Sequence, residues 1–125
     1  MRLLLDAHAL LWWLADDPEL SEEANDAVAD PGSVVFVSAA TAWEIAFKQA
    51  LGKLDAPSDL ERQIEVNRFE PMPITIGHGY AAGTLPRHHD DPFDRMLVAQ
   101  AMAEHLTVVT RDSSIGLYGV PTIRT

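Results

Sequence analysis

The sequence contains no cysteine. Its absence excludes a disulfide framework and a thiolate metal site, and it fits a cytoplasmic protein. Basic residues are scarce, nine Lys and Arg against 19 Asp and Glu, for a net charge of −10. A generic nucleic-acid coat would be basic. An acidic chain instead suits a site that gathers metal cations, or a basic partner. No apolar run is long enough to span a membrane: MRLLLDAHALLWWLA is interrupted by Asp6 and His8 and lacks a signal-peptide cleavage pattern. There is no repeat, linker or long Gly/Ser/Pro tract. What remains is 125 residues, 47% of them apolar, enough for one core and hence one expected domain over 1–125.

The apolar pattern alternates between two periods. Arg2–Leu5 reads as a short strand ended by Asp6, and Ala9, Leu10, Trp13 and Leu14 then fall on one helical face. Ser21–Ala29 predicts a helix with Ser21 as its cap, and Ser33–Val37 a buried strand. Ser38–Gly52 predicts a helix with Trp43, Phe47, Ala50 and Leu51 on one face and Gly52 placed to end it. Ala56–Arg68 predicts another helix. Glu70–Thr75, with two prolines, is at most an edge strand. Ile76–Leu85 reads as a short helix or turn, and Pro86–Asp90 as a loop whose His88 and His89 do not match zinc spacing and are expected to face solvent or substrate. Asp91-Pro92 starts a helix that is apolar from Met96 to Ala103 except at Gln100. Leu106–Thr110 and Val120–Ile123 predict the last two strands. Strand–helix alternation of this kind predicts an α/β fold, a central parallel sheet with helices on both faces.

Four acids stand at comparable places in this pattern. Asp6 and Asp112 lie just past the carboxyl ends of apolar strands, where open α/β sheets bind ligands. Glu44 and Asp94 lie on helices that follow or face such ends. Each has a plain structural reading as well. Asp6 could cap the next helix, Glu44 could complete a T-x-x-E capping box from Thr41, and Asp94 could simply favour a helix dipole. Converging carboxylates repel one another unless cations are present. Hard oxygen donors without Cys select Mg²⁺ or Mn²⁺, and such a site suits hydrolysis of phosphodiesters.

LLLDAHALLWWL at 3–14, SAATAWEIAFKQALGKL at 38–54, HHDDPFDRMLVAQA at 88–101 and TRD at 110–112 resemble the PIN domain, in particular the VapC-type toxins of type II toxin–antitoxin pairs. The resemblance extends over essentially the whole chain. It implies a Mg²⁺- or Mn²⁺-dependent endoribonuclease, inhibited by a cognate antitoxin and usually a homodimer. It places the family's acids, catalytic and metal-binding, at Asp6, Glu44, Asp94 and, less uniformly, Asp112, with Asp91 as the helix cap. One departure is Ala7, where the family often has Thr or Ser; the missing hydroxyl contact could come from Ser113. On so acidic a chain, RNA contacts are expected from a few local residues: Lys48, Arg87, Arg95, Arg111 and Ser113. Two alternatives remain open at this level. One is a non-catalytic PIN-like module that only binds a partner. The other is a receiver-type phosphoacceptor, disfavoured by a lone Asp6 and by Arg111-Asp112 where that class has a lysine.

Overall fold

Three consecutive leucines set the centre of the molecule. Leu3, Leu4 and Leu5 are fully buried, with Leu3 and Leu5 packed on one side of the sheet and Leu4 on the other. A strand covered on both faces needs such an uninterrupted apolar run. The computed structural model describes every residue from Met1 to Thr125. In chain order the elements are β1 (Arg2–Leu5), α1 (Ala7–Leu14), α2 (Glu22–Ala29), β2 (Val34–Ser38), α3 (Ala39–Ala50), α4 (Leu60–Val66), β3 (Glu70–Met72), α5 (Ile76–Thr84), α6 (Pro92–Glu104), β4 (Thr107–Thr110), α7 (Ser113–Gly116) and β5 (Thr122–Arg124).

The strands form one parallel sheet in the order β3-β2-β1-β4-β5. The chain therefore builds outward from β1 to β2 and β3, then returns to the other side of β1 for β4 and β5. The order reverses between β1 and β4, and this switch point is where α/β sheets leave a crevice beyond their strand ends. One face is filled by Leu3, Leu5, Leu10, Ala24 and Val28, with Trp12 and Trp13 packed against them. The opposite face is filled by Leu4, Leu97, Val98, Ala101 and Leu106. Burial of each large aliphatic side chain contributes about 1.5–3 kcal/mol, so the two layers fix the strand ends in space.

Most expected elements form, with boundaries moved by a few residues. Ser21, Ser38 and Asp91 cap α2, α3 and α6 through their side-chain oxygens. Gly52 has φ +71° after the last turn of α3, a conformation glycine adopts without strain. β3 is an edge strand, which is why it tolerates Pro71. The helix expected over 56–68 is shorter, Leu60–Val66, and Val66 is exposed.

α3 differs in a way that matters. Its apolar stripe does not face the core: Trp43, Phe47 and Leu51 are 61%, 51% and 53% exposed. The buried face carries Ala40, Thr41, Glu44 and Ile45. Small residues near the helix start allow close approach to β1, where the Thr41 hydroxyl donates to the Leu5 carbonyl at 3.3 Å. Trp43 instead lies edge-on to Phe93 of α6, with centroids 4.8 Å apart.

Candidate functional site

The ends of β1 and β4 open into a cavity of about 260 Å³ lined by Asp6, Ala7, His8, Glu44, Lys48, Asp94, Arg111 and Asp112. All four sequence-selected acids reach it. Asp6 follows β1, and its Oδ1 accepts the Ala9 amide at 2.8 Å, so it caps α1 and lines the cavity at once. Glu44 is 5% exposed and interior to α3, because the helix starts after Ser38; the Thr41–Glu44 capping box does not form. Lys48, one turn further, donates to Glu44 Oε2 at 2.6 Å. Asp94 sits in the first turn of α6 behind Asp91, whose Oδ1 accepts the Phe93 and Asp94 amides at 2.8 and 3.1 Å. Asp112 follows β4 and caps α7 through the Ser114 amide at 2.8 Å.

His89, expected to face solvent or substrate, was not among the expected site residues. It is not a freely solvated loop residue. Its Nε2 lies 2.5 Å from Asp112 Oδ2 and 3.0 Å from Asp94 Oδ2. Its Nδ1 accepts the Asp91 amide at 3.0 Å, so Nε2 is the nitrogen that carries the proton towards both carboxylates. The available signal was position: His89 stands two residues before a cap that must be fixed for α6 to begin.

The electrostatics follow from crowding. Burial pushes the Asp94 carboxyl up to about 7, and the neighbouring charges of Asp91, Glu44 and Asp6 add to this while His89 opposes it. Burial also raises Asp6, partly offset by the Ala9 amide. Asp112 goes the other way: burial works against its charge, but the Ser114 amide and His89 outweigh it, and its pKa is lowered. Burial likewise disfavours the His89 imidazolium, yet the hydrogen bond to Asp112 and the charges of Asp94 and Asp91 win and raise it. Lys48 is raised by its hydrogen bond to Glu44.

The donor set fits a hard divalent cation. His89, Asp94 and Asp112 each offer a ligand atom, all within 4.8 Å of one another. Asp6 and Glu44 line the same cavity outside this tightest group. A carboxyl that resists ionisation beside three others is the group a cation would relieve.

The expected substrate contacts divide. Lys48 and Arg111 line the cavity, whereas Ser113 is exposed at the start of α7 and does not. Arg95 turns away from the cavity. Its guanidinium donates to the carbonyls of Ala82, Leu85, Pro86 and His89 at 2.9–3.2 Å, so it holds the segment that delivers His89.

A doubly wound parallel sheet with an acidic cavity at its switch point defines the class of protein. The PIN domain family model matches residues 3–119, and the chain belongs to that family. Among solved structures, VapBC2 from Rickettsia felis bound to a promoter DNA fragment aligns with a TM-score of 0.72 at 14% identity, covering 99% of this chain and 98% of that one. FitAcB from Neisseria gonorrhoeae aligns at 0.61 and 19% identity, covering 97% and 96%. VapBC-5 from Mycobacterium tuberculosis, of the VapBC family of toxin–antitoxin systems, aligns at 0.61 and 18%, covering 99% and 98%. No curated protein is found as a sequence relative. No helix is long and apolar enough to cross a membrane.

Proposed function

We propose that residues 1–125 form a PIN domain acting as a Mg²⁺- or Mn²⁺-dependent endoribonuclease, the cytoplasmic toxin of a type II toxin–antitoxin pair. The observation that carries this reading is the single cavity lined by Asp6, Glu44, Asp94 and Asp112. Asp6, Glu44, Asp94 and Asp112 would hold the cation, and His89 would remain hydrogen-bonded to Asp94 and Asp112 beside it. The bound cation would supply Lewis-acid charge at the scissile phosphate and ease ionisation of the attacking water. The chain's own residues do the rest. The caps at Asp6, Asp91 and Asp112 fix carboxylate positions, Lys48 keeps Glu44 oriented, and His89 can hold a proton close to the reacting phosphate.

Purified protein is expected to cleave RNA with Mn²⁺ or Mg²⁺ and to stop in EDTA. Asp6→Asn and Glu44→Gln should each abolish cleavage with the far-UV spectrum unchanged. Full activity in either variant removes that residue from the site, and a parent that cleaves no RNA in either metal returns the chain to a partner-binding module.

The antitoxin reading rests on the same charges. A buried acid cluster is a receptor for an arginine, whose planar fork pairs with carboxylates. An antitoxin segment is expected to place an Arg or Lys among Asp6, Glu44 and Asp94 and to compete with Mn²⁺. Inhibition that survives replacement of every basic residue in that segment contradicts this. The exposed Trp43, Phe47 and Leu51 stripe supports homodimerisation; a monomeric mass in light scattering at high protein concentration would remove that part.

A further inference from the structure

Beside the acids, the same cavity is lined by His8 and Arg111, and Trp12, which does not line it, lies against both. His8 is exposed and lines the cavity two residues after Asp6. One helical turn on, Trp12 is half-buried, and its ring centroid is 5.3 Å from that of His8. The Arg111 guanidinium lies 4.5 Å from the Trp12 centroid, immediately before Asp112 in sequence. Each strand end thus delivers an acid together with a planar group: Asp6 with His8, Asp112 with Arg111.

Arg111 is not free to act as a flexible phosphate clamp. Nη1 donates to Glu19 Oε2 and Nη2 to the Glu19 carbonyl, both at 3.0 Å. These bonds hold the guanidinium edge and balance its charge, while its side chain stays 45% exposed. What it chiefly offers a ligand is a flat surface backed by an indole. Flat cationic and aromatic surfaces beside a backbone-cutting site are what unpaired bases stack on. On a chain of net charge −10, the uncharged base is also the part of RNA least repelled.

We propose that His8 and Arg111, both supported on Trp12, form a stacking platform that binds one unpaired nucleobase beside the scissile phosphate. This rests on the ribonuclease reading for its substrate, but it is separable from it by experiment. Stacking of one base is worth about tenfold in affinity. Because no phosphate charge is neutralised, the gain is insensitive to salt.

The test uses the full chain and two fluorescently labelled probes of equal length, an oligoadenylate RNA and an abasic ribose-phosphate oligomer. Binding is read by anisotropy in Ca²⁺, at low and at moderate salt. The parent is expected to prefer the oligoadenylate about tenfold at both salts. His8→Ala and Arg111→Gln, both at exposed positions, should each narrow that preference towards one. Trp12→Leu should do the same, with a thermal melt to report its effect on the core. A parent without base preference, or a preference unchanged in both exposed variants, overturns the platform. So does a His8→Ala effect confined to inhibition by the antitoxin, which would assign the surface to a protein partner. Cleavage of the same RNA in Mn²⁺ is scored separately. Base preference without cleavage leaves the platform standing and removes the nuclease; cleavage without base preference does the reverse.

Discussion

Asp94→Asn is expected to lower RNA cleavage by about a hundred- to a thousandfold and, in the same protein, to raise the melting temperature without metal. The two effects share one cause. Asp94 stands behind Asp91 with Glu44 and Asp6 nearby, and burial with those charges pushes its pKa from 3.8 to about 7. Folding therefore favours the protonated form. The stability linked to this group is full below about pH 4, falls as pH rises towards 7, and is flat above. A neutral amide of the same shape removes that fall. At pH 8 the metal-free variant should melt roughly 3–6 °C above the parent, the difference should be smaller at pH 5, and it should close only below about pH 4. The stabilisation that Mn²⁺ gives the parent should shrink in the variant, because a ligand stabilises only as far as it binds the folded state. Asp91→Asn keeps the cap, since Asn caps a helix well, and should raise the metal-free melting temperature by less than Asp94→Asn does, because it removes one of the charges that press on Asp94 while leaving that group buried. If Asp94 merely serves the helix dipole, its loss destabilises by about 0.3–1 kcal/mol. A lower metal-free melting temperature for Asp94→Asn, with an unchanged Mn²⁺ shift, would therefore eliminate the convergent site at this position.

Arg95→Ala should cost about 3 kcal/mol of stability, roughly a 10 °C fall in melting temperature. Four carbonyls between Ala82 and His89 lose a charged donor in that variant. Three of them, at Ala82, Leu85 and His89, belong to residues that are themselves buried or half-buried. Arg95→Lys should recover little, because one ammonium cannot reproduce a planar fork that reaches several carbonyls at once. Cleavage should fall as well, since the segment positions His89 beside Asp94 and Asp112. The opposite pattern, a normal melt with weaker RNA binding, would mark Arg95 as a substrate contact and would withdraw the clamp. Denaturant titration and anisotropy on the same preparations distinguish the two.

Much of this site was legible because local rules and chemistry coincide. Asp6 and Asp112 stand where strands end and helices begin, Asp91 stands where a loop gives way to a helix, and a cap at each place needs a short acceptor side chain. Strand–helix alternation then implies a parallel sheet whose carboxyl ends share an edge. Period and caps thus determined the α/β class, most elements and the neighbourhood of the four acids. The resemblance of the DPFDR and TRD segments carried the family.

Three features were settled only by tertiary structure. α3 is amphipathic by sequence, but periodicity does not say which side meets the sheet; close approach of Ala40 and Thr41 to β1 decided it, leaving Trp43 and Phe47 outside and Glu44 inside. Arg95 and Arg111 are both basic residues beside a site acid, indistinguishable by charge. The end of α5 and the loop after it gave one of them four carbonyls, and Trp12 with Glu19 gave the other a flat support. His89 had no spacing that marked it, because its partners come from α6 and from the end of β4. A sequence determines which groups are available and how each segment repeats. Which groups share a cavity depends on strand order and on the packing of helices from distant parts of the chain, and those are properties of the whole fold.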